Sequence, residues 1–207
     1  MKTFKNVLVL TIITVIAGFL LGYVYDITKD PIAKAEAEKT EKALKQVFPE
    51  GATFDSDVEN FHLTNSDAIL DDEGYVGIRI DDAYLAKDAS GNVIGDIFLI
   101  TTPEGYGGDI TIMLGIKNDG AINGLEILSI SETAGLGMKA NTPEFKNQFK
   151  GKNVQKISYT KNGASADYEI DALSGATITT NAVTNAVNAG LFYFSTVNTE
   201  IGGEANE

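Results

Sequence analysis

The stretch DITIMLGIKNDGAINGLEILSIS, Asp109 to Ser131, sets two β-branched and aliphatic runs on either side of Lys117-Asn118-Asp119-Gly120. Apolar runs joined by an Asp-Gly turn read as strand, tight turn, strand. A further glycine, Gly124, stands four residues beyond the turn glycine, with Ile127 after it. The same signature lies upstream, where Lys87-Asp88-Ala89-Ser90-Gly91 is followed by Gly95 and Ile97. Working outward, YVGIRI, AYLA and NVIGDIFLIT precede this pair, while KISYT and DYEI follow it around a third turn, Lys161-Asn162-Gly163. The array predicts a twisted antiparallel sheet built of hairpins, with the recurring glycine read as hairpin chemistry and not as a duplicated domain.

Helical pattern appears on both sides of this texture. Thr142-Pro143-Glu144 resembles an N-cap, a first-turn proline and a first-turn acid ahead of FKNQFKG, which sets Phe145 and Phe149 four apart. A longer helix is expected from Thr179 or Thr180 to about Ser195. Val183, Val187, Leu191 and Phe194 fall on one face, and Ala182, Ala186 and Ala189 allow close approach to a sheet. Sheet plus packed helices predicts an α+β class.

Val7 to Tyr25, VLVLTIITVIAGFLLGYVY, contains no charge, and at about 1.5 Å per residue its helix approaches the thickness of a bilayer's hydrocarbon core. Lys2 and Lys5 precede it and Asp26 and Asp30 follow, which predicts a cytoplasmic N-terminus and an extracytoplasmic remainder on a cell membrane. A cleaved signal peptide fits less well. The run is longer than a signal core, and the small-residue site Ala33-Lys34-Ala35 lies beyond two aspartates and a proline. Asp30 as N-cap and Pro31 in the first helical position predict a second helix to about Phe48. The expected organisation is an anchor through residue 30, a juxtamembrane helix and connector at 31–72, a domain at 73–200 and a tail at 201–207.

Composition excludes several chemistries. The sequence has no cysteine, so zinc-thiolate sites, iron–sulfur clusters and thiol nucleophiles are absent. A net charge of −13 argues against nucleic acid. The single histidine, His62, sits in a polar run and reads as a surface residue. Redox chemistry here needs a cofactor.

The candidate site is DALSGATITTNAV, Asp171 to Val183, in which Ser174-Gly175-Ala176-Thr177 forms a strand-to-helix turn. A helix start offers unpaired N–H groups and a partial positive charge suited to phosphate. Simple capping and phosphate binding both remain open on these residues alone. PEGYGGDI (Pro103 to Ile110) and SETAGLGMK (Ser131 to Lys139) are glycine-rich strand connections that could bring backbone N–H groups close to a ligand.

Asp171-x-x-Ser174-Gly175-Ala176-Thr177 resembles the flavinylation motif D-x-x-[ST]-G-A-[ST] of the FMN-binding domain shared by the G subunit of the Rnf electron-transport complex and the C subunit of the sodium-pumping NADH:quinone reductase. The anchor and the GYGG and SETAGLG loops appear in the family's order, so the resemblance covers nearly the whole chain. It implies FMN joined covalently to the Thr177 hydroxyl as a phosphoester by a flavin transferase that uses FAD. It implies recognition by that enzyme at Asp171, and phosphate contacts or caps at Ser174, Thr179 and Thr180 beside the small Gly175 and Ala176. Glu132, Thr133, Gly135, Leu136 and Gly137 would border the isoalloxazine, with Tyr106 and Gly107 opposite and Lys139 placing a positive charge near the reduced ring. Ala134 stands where the family commonly has proline, which loosens the loop but removes no chemical group. The implied role is an electron relay, not catalytic alone, in an ion-translocating ferredoxin:NAD oxidoreductase with subunits A, B, C, D and E as partners. The rival expectations are another membrane-anchored flavinylated carrier, such as the quinone-reductase C subunit, and a cofactor-free tethered assembly domain.

Overall fold

The computed structural model describes residues 2–56, 61 and 63–204; His62 lies outside them. Two compact units divide the chain, Met1–Glu41 and Lys42–Glu207.

The described residues of the first unit are all helical and belong to α1, Lys2–Val47. Its apolar side chains face outward all round, Phe19 at 74% and Leu21 at 73% exposure among them. Its N-terminal part contains a run, apolar on every side and unburied, that makes the helix long enough and apolar enough to cross a membrane. The expected break at Asp30 is absent, because Pro31 lies inside the same helix. Proline there removes one i−4 donor, but the Ala-, Lys- and Glu-rich sequence after it has enough helix propensity to continue.

In the second unit, β1 (Thr53–Ser56), β2 (Arg79–Lys87), β3 (Val93–Thr102), β4 (Ile110–Lys117) and β5 (Ile122–Ser129) form one antiparallel sheet in sequence order. The two hairpins read from sequence are β2–β3 and β4–β5. Three details differ from expectation. Tyr75 to Ile78 is a turn, so YVGIRI and AYLA contribute to one strand. The unassigned connector contains edge strand β1 and helix α2, Ser66–Asp72. KISYT and DYEI do not form a hairpin: β6 (Ser158–Thr160) and β7 (Glu169–Asp171) pair in parallel as a separate sheet. The connection of 161–168 is long enough to return the chain to the same end, and buried Asn188 holds β6 through both Ile157 backbone groups, at 2.7 and 2.9 Å. The domain also begins earlier than residue 73, because Ala43, Leu44, Val47 and Phe48 are buried against the sheet.

The sheet is covered on both faces, which explains why NVIGDIFLIT is almost continuously apolar. One face, with Phe98, Ile100, Ile112 and Leu114, packs on α4, Thr177–Glu204. Val183, Val187 and Tyr193 of α4 are fully buried, each worth about 1.5–3 kcal/mol. Gly190 sets the closest approach: a Cβ there would lie 2.6 Å from Leu114 Cδ2 and 2.7 Å from Ile100 Cδ1. The other face carries Ile97 and Met113 and receives the C-terminal turn of α1. Here the recurring glycines find their purpose. Gly95, Gly115 and Gly124 form a trench in which Phe48 and Val47 sit, and none of the three needs a positive φ. Their spacing reflects room for a helix end, not hairpin chemistry.

Candidate functional site

Strand β7 delivers the chain to the site, and Gln148 fixes its end. The Gln148 side chain accepts from Asp171 N at 2.6 Å and donates to Asp171 O at 3.3 Å. Ala172 N then donates to Thr160 O at 2.8 Å, and the chain reverses at Gly175, whose φ of +75° favours glycine. Helix α4 starts at Thr177, two residues earlier than the sequence suggested, so all three threonines lie in its first turn. None of them precedes the helix as a cap. Thr180, fully buried, accepts from Leu173 N at 3.0 Å and donates to Ala176 O at 2.9 Å, tying the turn to the helix. Thr179 is buried beside Gly137, while Thr177 is only half-buried.

A cleft of about 450 Å³ opens at this helix start and joins the three stretches singled out in the sequence. Gly175, Ala176, Thr177, Ile178 and Thr179 form one side; Glu132, Thr133, Leu136 and Gly137 form another; Tyr106 completes it. Tyr106, Leu136 and Ile178 are 72%, 43% and 53% exposed, an apolar rim around a polar floor. The first N–H groups of an α-helix have no i−4 acceptor, so the α4 end of the cleft is rich in donors.

Other expected residues lie elsewhere. Asp171, Ser174 and Lys139 line a neighbouring groove of about 390 Å³ that also holds Phe145 and Gln148. Lys139 is thus not among the lining residues of the cleft, and no Lys or Arg is among the described residues that line it. Asp171 accepts from Ala164 N at 2.6 Å, closing the loop before β7. Thr180, Gly107 and Gly135 support the walls without lining them. Gly107 packs on Ser131, whose carbonyl oxygen would be 2.1 Å from an added Cβ. Glu132 lines the cleft as expected, but its Oε1 accepts from Tyr106 N at 2.8 Å and Gly107 N at 3.4 Å, so these N–H groups face a carboxylate and not a ligand. Sequence reasoning missed Ile178 and Gln148. The signal for the first was an exposed apolar residue between two threonines; for Gln148 there was none.

Two family models match the chain: the RnfG N-terminal region at residues 1–47 and the FMN-binding domain at 105–191, a span that contains every residue lining the cleft. The G subunit of the ion-translocating oxidoreductase complex of Methanosarcina acetivorans is 33% identical over 92% of this chain and 94% of its own. This chain belongs to the G-subunit family of ion-translocating oxidoreductase complexes. A second G subunit, from the Na(+)-translocating ferredoxin:NAD(+) oxidoreductase complex of Acetobacterium woodii, is 29% identical over 91% of this chain and 89% of its own. Among solved structures, Shewanella oneidensis NqrC superposes with a TM-score of 0.48 at 20% identity, over 58% of this chain and 63% of that one. As a G subunit the protein is a membrane electron-transfer component of a multi-subunit oxidoreductase, and it does not catalyse alone. The expected Rnf membership and α+β fold both hold.

Proposed function

We propose that this G subunit carries FMN covalently on Thr177 Oγ1 and relays electrons within an Rnf-type ferredoxin:NAD oxidoreductase. One observation carries the choice of residue. Of the three threonines in the first turn of α4, Thr179 and Thr180 are buried, and Thr177 alone is a partly exposed residue lining the cleft. The residues fit the group. An apolar rim of Tyr106, Leu136 and Ile178 suits a flat aromatic ring, and the α4 N-terminus suits a phosphate.

In the proposed attachment the Thr177 oxygen bonds to the phosphorus on the FMN side of FAD, the pyrophosphate P–O bond breaks, AMP leaves and the hydroxyl proton passes to solvent. A flavin transferase would recognise Asp171, which is exposed beside the turn. When bound, FMN supplies the one- and two-electron chemistry that no side chain here offers. The chain's residues do the rest: Thr180 and Gln148 hold the turn, and the rim offers apolar surface to the ring. The asymmetry between Lys2 and Lys5 before the anchor and Asp26 and Asp30 after it supports an extracytoplasmic domain, with subunits A, B, C, D and E as partners.

Intact-protein mass analysis after co-expression with the transferase tests the attachment. The expected result is one flavin phosphoester on the wild-type chain and none on Thr177→Val. An unmodified wild type, or covalent flavin on Thr177→Val, overturns the proposal.

A further inference from the structure

The geometry points to Glu132 as the positioning residue of the cleft, a fixed carboxylate that pins the GYGG loop and makes the flavin harder to reduce; this rests on reading the cleft as the flavin site. Successive backbone N–H groups in a glycine-rich loop make an anion-binding nest. In this chain the nest is filled from within, since Tyr106 N and Gly107 N both donate to Glu132 Oε1. Hydrogen bonds to a charged acceptor are the stronger kind, so one side chain fixes the loop that carries the exposed Tyr106 ring.

Glu132 is itself held. It is 9% exposed, and a Cβ on Gly137 would lie 2.7 Å from both its Cβ and its Oε2, and 2.6 Å from Thr179 Oγ1. Gly137 thus packs against both Glu132 and the first turn of α4, and the carboxylate sits where the three stretches that line the cleft meet.

The same placement polarises the cleft. A carboxylate stands on one wall and a helix N-terminus on another, and no cation is among the described lining residues. A ligand with one anionic end is thus oriented with its phosphate at α4. A fixed negative charge beside the ring opposes added negative charge, which lowers the tendency to accept electrons.

The full-length chain in detergent tests both consequences with Glu132→Gln and Glu132→Ala. Amide exchange at Tyr106 and Gly107 is followed in a Thr177→Val background, free of covalent flavin, and midpoint potentials are read on loaded protein. Glutamine keeps an acceptor and loses the charge, so Glu132→Gln should retain protection of both amides while the potential rises. Alanine removes both, and exchange should accelerate by about tenfold or more. Unchanged exchange in Glu132→Ala, or a wild-type potential in Glu132→Gln, overturns the inference. If Glu132→Ala does not fold, Glu132→Gln decides by its potential. A wild type with no flavin adduct by mass overturns the covalent reading instead, and the exchange comparison then decides the role of Glu132.

Discussion

Replacing Phe48 and Gly115, singly and together, tests how the end of α1 seats on the sheet. Phe48 is fully buried, and a Cβ on Gly115 would lie 2.9 Å from its Cδ2 and Cε2 and 3.2 Å from Val47 Cβ. Phe48→Ala empties the trench and should cost about 3–5 kcal/mol, the range for a large buried aromatic. Gly115→Ala needs no change of backbone conformation, so its cost is steric alone, about 1–3 kcal/mol for an overpacked contact. The two changes should not add. Once the ring is gone the new methyl has space, so Gly115→Ala should cost much less in the Phe48→Ala background. The assay is urea unfolding of the full-length chain in detergent, with the four free energies closed into a double-mutant cycle. Additivity within about 0.5 kcal/mol refutes the seating. Gly124→Ala serves as a control. Its Cβ would meet Val47 Cα at 2.8 Å and Val47 O at 2.9 Å, backbone that removal of the Phe48 ring does not relieve.

Thr180→Val keeps the shape of a buried side chain but leaves Leu173 N without its acceptor, so chemical denaturation should show a loss of about 1–3 kcal/mol, and Thr180→Ser should restore most of it. The Glu169 carboxyl is held below its ordinary value by backbone N–H donation from Ser165 and Ala166, a depressed acid whose stabilisation is present above about pH 4.5 and lost as pH falls through its folded value. Thermal melts should therefore decline more steeply below pH 4.5 for wild type than for Glu169→Gln; parallel curves would refute the assignment.

The sequence by itself determined the elements whose causes are local. Val7 to Tyr25 is apolar over its whole length, and the Asp-Gly and Ser-Gly turns between apolar runs specify β2–β3 and β4–β5. The three stretches lining the cleft were also legible, since glycine clusters and a strand-to-helix threonine turn are local chemistry. Contacts between distant segments were not. The parallel pairing of β6 with β7 was not legible either, and Asn188, which anchors Ile157 at the start of β6, lies 31 residues away in sequence. Asp30-Pro31 reads as a cap and first turn, so the pattern did not show that α1 runs through Pro31. Gly95 and Gly124 looked like hairpin residues because the helix end that fills their trench lies far upstream. The sequence also did not show that the Glu132 carboxylate accepts from the GYGG loop's N–H groups, a contact between segments some 25 residues apart. Nor does composition distinguish Thr177 from Thr179 and Thr180. Burial does: Thr179 is closed over by Gly137 of the SETAGLG loop, and Thr180 is buried against the turn at Leu173.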